Sequence, residues 1–381
     1  MGDDIRFVGL DVHAETITVA VAEGDGGEVR EVGTIPNREE SIRNLLKKLG
    51  PAKRVRCCYE AGPTGYVVYW QLVGMGVTCF VVAPTLVPVR PGDRVKTDRR
   101  DAKKLARLYR SGELTPVWVP DQAHEALRDL VRAREAAKRD ETRARHRLSK
   151  FLLRHGRRPE KQLTAWTMKY LEWVRSVRFE HAAMGATLLD YLTEVDHLAE
   201  RIVRLERAID AAIEQMPATL KAVVAGLQAL RGVKKISAVS LVAELGPLSR
   251  FDRPRQLMGY SGAVSRESSS GEHVWRGSIT KTGNAHLRRI VGEAAWAYRH
   301  RPSLGPALRK RQVDQSEEVK AIAWKAQHRL HDRYYRLVGR GKHKNKVATA
   351  IARELLGFIW AIGVQVEKEQ RAKASGKPLA A

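Results

Sequence analysis

The first hundred or so residues constrain the fold most. Arg6–Val12 (RFVGLDV) and Thr16–Ala22 (TITVAVA) are short apolar runs separated by a polar link. Gly24-Asp25-Gly26-Gly27 punctuates the chain, and a third extended run covers residues 28–35. Runs of this length bounded by turn residues read as strands of an antiparallel meander. The period then changes. From Arg38 to Leu49, Ile42, Leu45, Leu46 and Leu49 share one helical face. Arg54–Glu60 (RVRCCYE) and Val77–Ala83 (VTCFVVA) read as strands. Between them, Pro63 is expected to open a helix through Met75, because proline suits the first helical turn. Asp98–Tyr109 (DRRDAKKLARLY) reads as a helix that stops near Gly112. A meander followed by alternating helix and strand implies a mixed sheet with helices packed on it.

The order β-β-β-α-β-α-β-α is that of the ribonuclease-H-like fold. In such a sheet the first strand lies beside the fourth, and the last helix covers their ends. Four acids then become candidates by position. Asp11 lies within the first strand, where a charge is costly unless it coordinates something. Glu60 ends the fourth strand, before Ala61-Gly62-Pro63. Asp98 and Asp101 stand three apart and share one side of their helix. Such a cluster suits a hard divalent cation, Mg²⁺ or Mn²⁺, bound through oxygen. Two alternatives stay open. A GLDV strand also opens ATP-binding sugar-kinase-type folds, and Asp98 fits a helix cap. His13, beside Asp11, reads as a surface or supporting neighbour.

Charge bounds the partners. The 381 residues hold 68 Lys and Arg against 43 Asp and Glu, a net charge of +25. That surplus repels itself unless a polyanion is the partner, and nucleic acid comes first. A membrane comes second, and no apolar run is expected to reach spanning length. The acidic start MGDDIR is unlike a signal peptide. Three cysteines, Cys57, Cys58 and Cys79, lack metal-type spacing, which argues for a reducing cytoplasm.

The rest of the chain reads as helical. Asp121 to Arg154 is strongly basic, and its Arg143 and Arg147 are candidate nucleic-acid contacts. From Leu188 to Ala212, Leu188, Tyr191, Val195, Leu198, Ile202, Leu205, Ile209 and Ala212 alternate steps of three and four. That seam fits a coiled-coil hairpin, a dimer arm or a helix packed inside one subunit. Leu230–Gly246 (LRGVKKISAVSLVAELG) reads as a turn and helix resembling a helix-hairpin-helix. A basic cluster then precedes an apolar core helix, and a polar tail from Glu367 is expected to fray. The expected division is 1–115, an α/β catalytic domain; 116–218, a basic helical and coiled-coil domain; 219–366, a mainly helical C-terminal domain; and 367–381, the tail.

The stretch SRESSSGEHVWRGSITKTGNAHLRR, Ser265–Arg289, poses a separate question. Ser268-Ser269-Ser270 is either a polar loop or the source of an attacking hydroxyl. Gly271 would let backbone approach a phosphate, and Lys281, Arg288 and Arg289 would neutralise charge building up on it.

GLDVHAETITVAV, YEAGPTGY and VKTDRRDAKKLARLYRSGEL, carrying Asp11, Glu60, Asp98 and Asp101, resemble the DEDD quartet of a RuvC-like transposase domain. The stretch from Gly232 to Arg289 resembles the second domain of the same proteins, the insertion sequence 110 family of bridge-RNA-guided recombinases. Two motif blocks in the right order make the resemblance specific. It implies a nucleophilic serine at Ser270, with Ser269 as fallback because the serine run blurs the alignment. Ser265 and Ser268 replace the proline and aromatic usual before this motif. It also implies a noncoding bridge RNA that pairs with donor and target double-stranded DNA, leaving the protein to read backbone and shape. A dimer or tetramer in which one subunit's acids meet another's serine is implied as well. The expected function is therefore a DNA transposase and recombinase of a bacterial insertion sequence, working in the cytoplasm at the nucleoid. A Holliday-junction-type nuclease using metal-activated water, and a non-catalytic nucleic-acid-binding protein, are the alternatives.

Overall fold

The computed structural model describes residues 5–88, 97–160, 162–271 and 273–375. The chain forms two compact units, one running to Pro120 and one beginning at Asp121.

In the first unit β1 (Arg6–Val12), β2 (Thr16–Glu23) and β3 (Arg30–Pro36) form the meander. Helix α1 (Glu39–Leu49), β4 (Val55–Glu60), α2 (Val67–Gly74), β5 (Thr78–Val82) and α3 (Asp98–Arg110) follow. The five strands are ordered β3-β2-β1-β4-β5. β1 runs antiparallel to β2 and parallel to β4, so it lies at the centre with β4 beside it, as the element order implies.

Strand alternation divides the two faces of the sheet. Val8, Leu10, Ile17, Val19, Val21, Cys57 and Tyr59 pack with Ile42, Leu45 and Leu49 of α1 and Val68 and Leu72 of α2. The opposite face carries smaller residues: Ala20 and Ala22 meet Ala102 and Ala106 of α3. Gly9 belongs to this face, and a Cβ there would stand 2.2 Å from the carbonyl oxygen of Ala102. Only glycine admits α3 at that distance. Small residues on both partners therefore draw α3 directly onto β1.

One expected boundary moves. α2 begins at Val67, four residues past Pro63. Residues 62–65 form a turn instead, with Gly65 at φ 66 and its N–H donating to Gly62 O. The Tyr59 hydroxyl donates to Gly65 O and fastens that turn to β4. The three cysteines are free and buried, and burial pushes the Cys57 thiol up to about 12.

The second unit opens with α4 (Gln122–Arg154), capped by the Asp121 carboxylate accepting from His124 N at 2.8 Å. Helices α5 (Met168–Ser176), α6 (Ala182–Gln215), α7 (Ala218–Leu227), α8 (Lys235–Leu245) and α9 (Pro254–Tyr260) follow. The Arg134–Glu206, Asp140–Arg201 and Phe151–Tyr191 pairs show that α4 and α6 run antiparallel. The seam residues Leu188, Val195 and Leu198 are buried against Ala144, Leu148 and Phe151 of α4. The heptad is therefore used inside one chain, as a hairpin.

A hairpin of β6 (Ser265–Ser270) and β7 (His273–Ile279) interrupts the helices. Then come α10 (Ala285–Ala295), α11 (Pro306–Gln312), α12 (Glu317–Gly339) and α13 (Lys344–Ser375). α7 and α8 are joined through Gly232 at φ 82, where a Cβ would meet Ala294 O at 2.6 Å. The core gathers Leu227, Leu230, Leu241 and Leu245 with Leu287, Ile351, Leu355 and Ile359.

Two expectations about the C-terminal segment change. α13 is long and apolar enough by length and composition to cross a membrane. Its apolar stripe, including Val347, Leu356 and Ile362, packs into the core of the unit. The helix also continues past Glu367, which is buried and accepts from Leu248 N at 2.6 Å and Ser249 N at 2.9 Å. A frayed tail from Glu367 is excluded by those bonds: the carboxylate satisfies N–H groups that begin a short 3-10 turn. Of the expected tail, residues 376–381 lie outside the described residues.

Candidate active site

The β1–β4 ladder ends with Gly9 opposite Cys58 and Leu10 opposite Tyr59. Continuing that register by one residue sets Asp11 and Glu60 side by side at the ends of parallel strands. Alternation puts both on the face of Gly9 and Cys58, the face that α3 covers.

α3 supplies the other two acids. Asp98, Asp101, Ala102 and Leu105 follow helical spacing, so the stripe that packs on the sheet continues into acids in the first turn. Thr97 is the N-cap, its hydroxyl accepting from Arg100 N at 3.4 Å. The capping role considered for Asp98 is thus filled by its neighbour.

His13 joins the acids. Its Nε2 lies 3.4 Å from Asp11 Oδ2 and 3.5 Å from Asp98 Oδ1. One ligand atom from each of Asp11, His13 and Asp98 falls within 4.8 Å of the others. Burial raises the Asp11 carboxyl above its usual range. His13 opposes that rise, and the like charges of Asp98 and Asp101 add to it. Three of the four expected acids therefore feel one another, and Glu60 stands on the adjoining strand. A cation would relieve the strain that burial and like charge impose on Asp11. Hard oxygen donors around a half-open position fit a divalent ion. The sequence reads His13 as a surface or supporting neighbour of Asp11, and the structure sets its imidazole against both Asp11 and Asp98; residues two apart on a strand share a face, and Asp-x-His spans β1 into its turn.

The second unit carries the serines. Ser268, Ser269 and Ser270 are exposed on β6 and pair with Trp275, Val274 and His273 of β7. The stretch is a strand rather than a loop, closed at a turn where Gly271 has φ 58. Glu267 accepts from Arg276 Nε at 3.1 Å across the ribbon and from Ser269 Oγ at 3.0 Å. The hydroxyl of Ser269 is thus engaged, while Ser270 stands at the turn.

The basic residues expected to meet phosphate divide. Arg288 Nη1 donates to the carbonyls of Ser261, Thr282 and Gly283, fixing the segment after the hairpin. Arg289 bonds Glu135 of α4 at 2.8 Å and Glu293 at 2.9 Å. Both guanidinium groups thereby do structural work. Arg143 pairs with Asp140 on an exposed face. Lys281 and Arg147 are exposed.

Buried acids anchor the same segment. Glu244 of α8 accepts from Arg132 at 2.8 and 2.9 Å and from Asn284 Nδ2 at 2.6 Å. Asn284 also caps α10, its Oδ1 accepting from Leu287 N at 3.0 Å. Glu135 accepts from His286 Nδ1 at 2.7 Å. Burial would raise the Glu135 carboxyl, but hydrogen bonds from Arg289 and His286 outweigh it and hold the group at about 2. The hairpin's C-terminal root is therefore bolted to α4 and α8.

Comparison with known proteins finds two family matches along the chain. Residues 8–156 match a transposase domain of the DEDD, insertion sequence 110 type. Residues 225–309 match the transposase IS116/IS110/IS902 family. The Sinorhizobium fredii protein y4qE, named as a transposase, is 46% identical over 359 residues, covering 93% of this chain and 88% of its own. The transposase for insertion sequence element IS1533 of Leptospira borgpetersenii is 33% identical over 334 residues, covering 87% and 96%. The transposase for element IS1111A of Coxiella burnetii is 23% identical over 309 residues, covering 77% and 78%. By these matches the chain belongs to the insertion sequence 110 family of transposases, enzymes that recombine DNA.

Proposed function

We propose that this transposase cuts and rejoins DNA strands with a divalent-cation site on its first unit and a serine on its second. The observation that carries the proposal is the convergence of Asp98 and Asp101 on the end of the Asp11 strand. The strand order and the seating of α3 on Gly9 support a RuvC-like, ribonuclease-H-like domain. Asp11 and Asp98 would hold the cation, and Glu60 and Asp101 would complete its shell. When bound, Mg²⁺ or Mn²⁺ would polarise the phosphate and stabilise the departing oxygen.

Ser270 supplies the nucleophile. Its Oγ forms a bond to phosphorus while one bond from phosphorus to a deoxyribose oxygen breaks. The serine gives up its proton, and the leaving oxygen takes one up. One phosphodiester is exchanged for another, so rejoining needs no ATP. Ser270 is preferred to Ser269 because the latter's hydroxyl is already committed to Glu267. The turn glycine Gly271, with nothing within 4 Å of an added Cβ, leaves room for a phosphate to approach.

The chain's +25 charge and the exposed cations of α4 suit a bridge RNA pairing with donor and target DNA. Assembly into a dimer or tetramer would let one subunit's serine serve another's acids. The α6 seam is occupied by α4, so subunits would meet elsewhere.

Denaturing gels test the chemistry. Wild-type protein incubated with duplex DNA bearing the element's end should yield a covalent protein–DNA adduct. Ser270→Ala should yield none while still binding nucleic acid. A nuclease using activated water would leave no adduct in either protein, and undiminished recombination by Ser270→Ala would contradict the assignment.

A further inference from the structure

We infer that His13 is a nitrogen ligand of the cation held by Asp11 and Asp98, and that the site therefore prefers Mn²⁺ to Mg²⁺. The inference rests on the reading of these acids as a cation site and adds a donor outside the acid quartet.

Position argues first. His13 Nε2 faces Asp11 Oδ2 and Asp98 Oδ1 at nearly equal distances, 3.4 and 3.5 Å. Ligand atoms on an octahedral ion with bonds of about 2.1 Å lie about 3 Å apart when adjacent and about 4.2 Å apart when opposed. The three atoms, all within 4.8 Å of one another, reach that spacing with a small contraction.

The backbone of His13 is fixed on both sides. Its N–H donates to Thr16 O at 2.8 Å, closing the turn between β1 and β2. Its carbonyl accepts from Asn37 Nδ2 at 2.8 Å, and Asn37 N donates to Glu15 O at 2.9 Å. Asn37, just past β3, thus holds the turn that presents the imidazole, which makes it a positioning residue.

Energetics favour a ligand over a mere counter-ion. The side chains of His13 and Asp98 are 52% and 60% exposed, so an ion pair between them contributes little to stability. The same exposure leaves a path for a hydrated cation. Carboxylates accept Mg²⁺ and Mn²⁺ alike, whereas imidazole suits transition ions. Adding one imidazole to an oxygen set shifts the preference toward Mn²⁺.

Pulsed electron paramagnetic resonance on the full-length protein loaded with Mn²⁺ decides the matter. Bound Mn²⁺ should show coupling to a ¹⁴N nucleus. His13→Gln should lose that coupling, keep a weaker oxygen-bound Mn²⁺, and lose the preference for Mn²⁺ over Mg²⁺ in competition. Asp11→Asn should abolish binding, which places the signal at this site. Bound Mn²⁺ without ¹⁴N coupling in the wild type, or coupling that survives His13→Gln, would overturn the inference and leave the acidic site standing. Failure of the wild type to bind Mn²⁺ would overturn both.

Discussion

The acids of the first unit stand on the strand ends of a sheet sandwiched between helices and on the first turn of α3 that covers it, whereas the serines of the second stand on a two-stranded ribbon open to solvent. Asp11 is placed by β1, by the Gly9–Ala102 approach and by the first turn of α3. Ser270 is placed by one cross-strand partner and a glycine turn. Like charges must be held together against their repulsion, and that takes a rigid scaffold. A neutral hydroxyl needs no such restraint and can ride on an arm whose root alone is fixed. Rigidity is therefore concentrated where charge accumulates, and the proposed nucleophile stands on an exposed ribbon where substrate could reach it.

Substitutions at the two regions should break this contrast or sharpen it. Asp11→Asn should have the largest effect on activity, lowering strand cleavage by at least about a hundredfold. Circular dichroism should show the fold retained. A variant of near-normal rate would remove the acids from the chemistry.

Glu244→Ala comes next, and its effect falls on stability. The change strands Arg132 and Asn284 around a buried position and should cost about 3 kcal/mol in chemical unfolding of the second unit. Gly9→Ala should cost about 2 kcal/mol in the first unit, because overpacking forces α3 off β1. Its cleavage rate should fall too, since Asp98 and Asp101 move with the helix.

Glu135 adds a pH signature. Its folded carboxyl sits at about 2, below the ordinary value, so its contribution to stability is complete above the unfolded value of about 4.3. That contribution declines as pH falls through the window down to about 2. In unfolding curves across this window Glu135→Gln should show a shallower pH slope than wild type. An unchanged slope would mean that the His286 and Arg289 bonds are absent in solution.

The smallest stability effect belongs to the ribbon. Ser270→Ala should change unfolding free energy by less than about 0.5 kcal/mol. A large loss there would show that the ribbon is a structural element and undo the contrast between the two regions.

Legibility in the sequence follows the same divide. The meander, its alternation and the amphipathic α1 and α3 could be read because one buried face imposes a period. Asp11, Glu60, Asp98 and Asp101 could be placed because that period fixes strand ends and helix turns. The ribbon could not be read: SRESSS carries no apolar alternation, since neither face is buried. Pro63 misled because a left-handed Gly65 delays the helix, a tertiary choice fastened by Tyr59. The roles of Arg288 and Arg289 were equally hidden, because their acceptors are backbone carbonyls nearby and a carboxylate on distant α4. Glu367 looked like a polar tail for the same reason: its partners lie more than a hundred residues upstream.

A structure of the full-length transposase bound to its DNA tests the central claim most directly. The account predicts one scissile phosphate touched both by the cation at Asp11 and Asp98 and by the Ser270 hydroxyl of some subunit. A phosphate seated at the acids with every Ser270 remote from it would contradict the account.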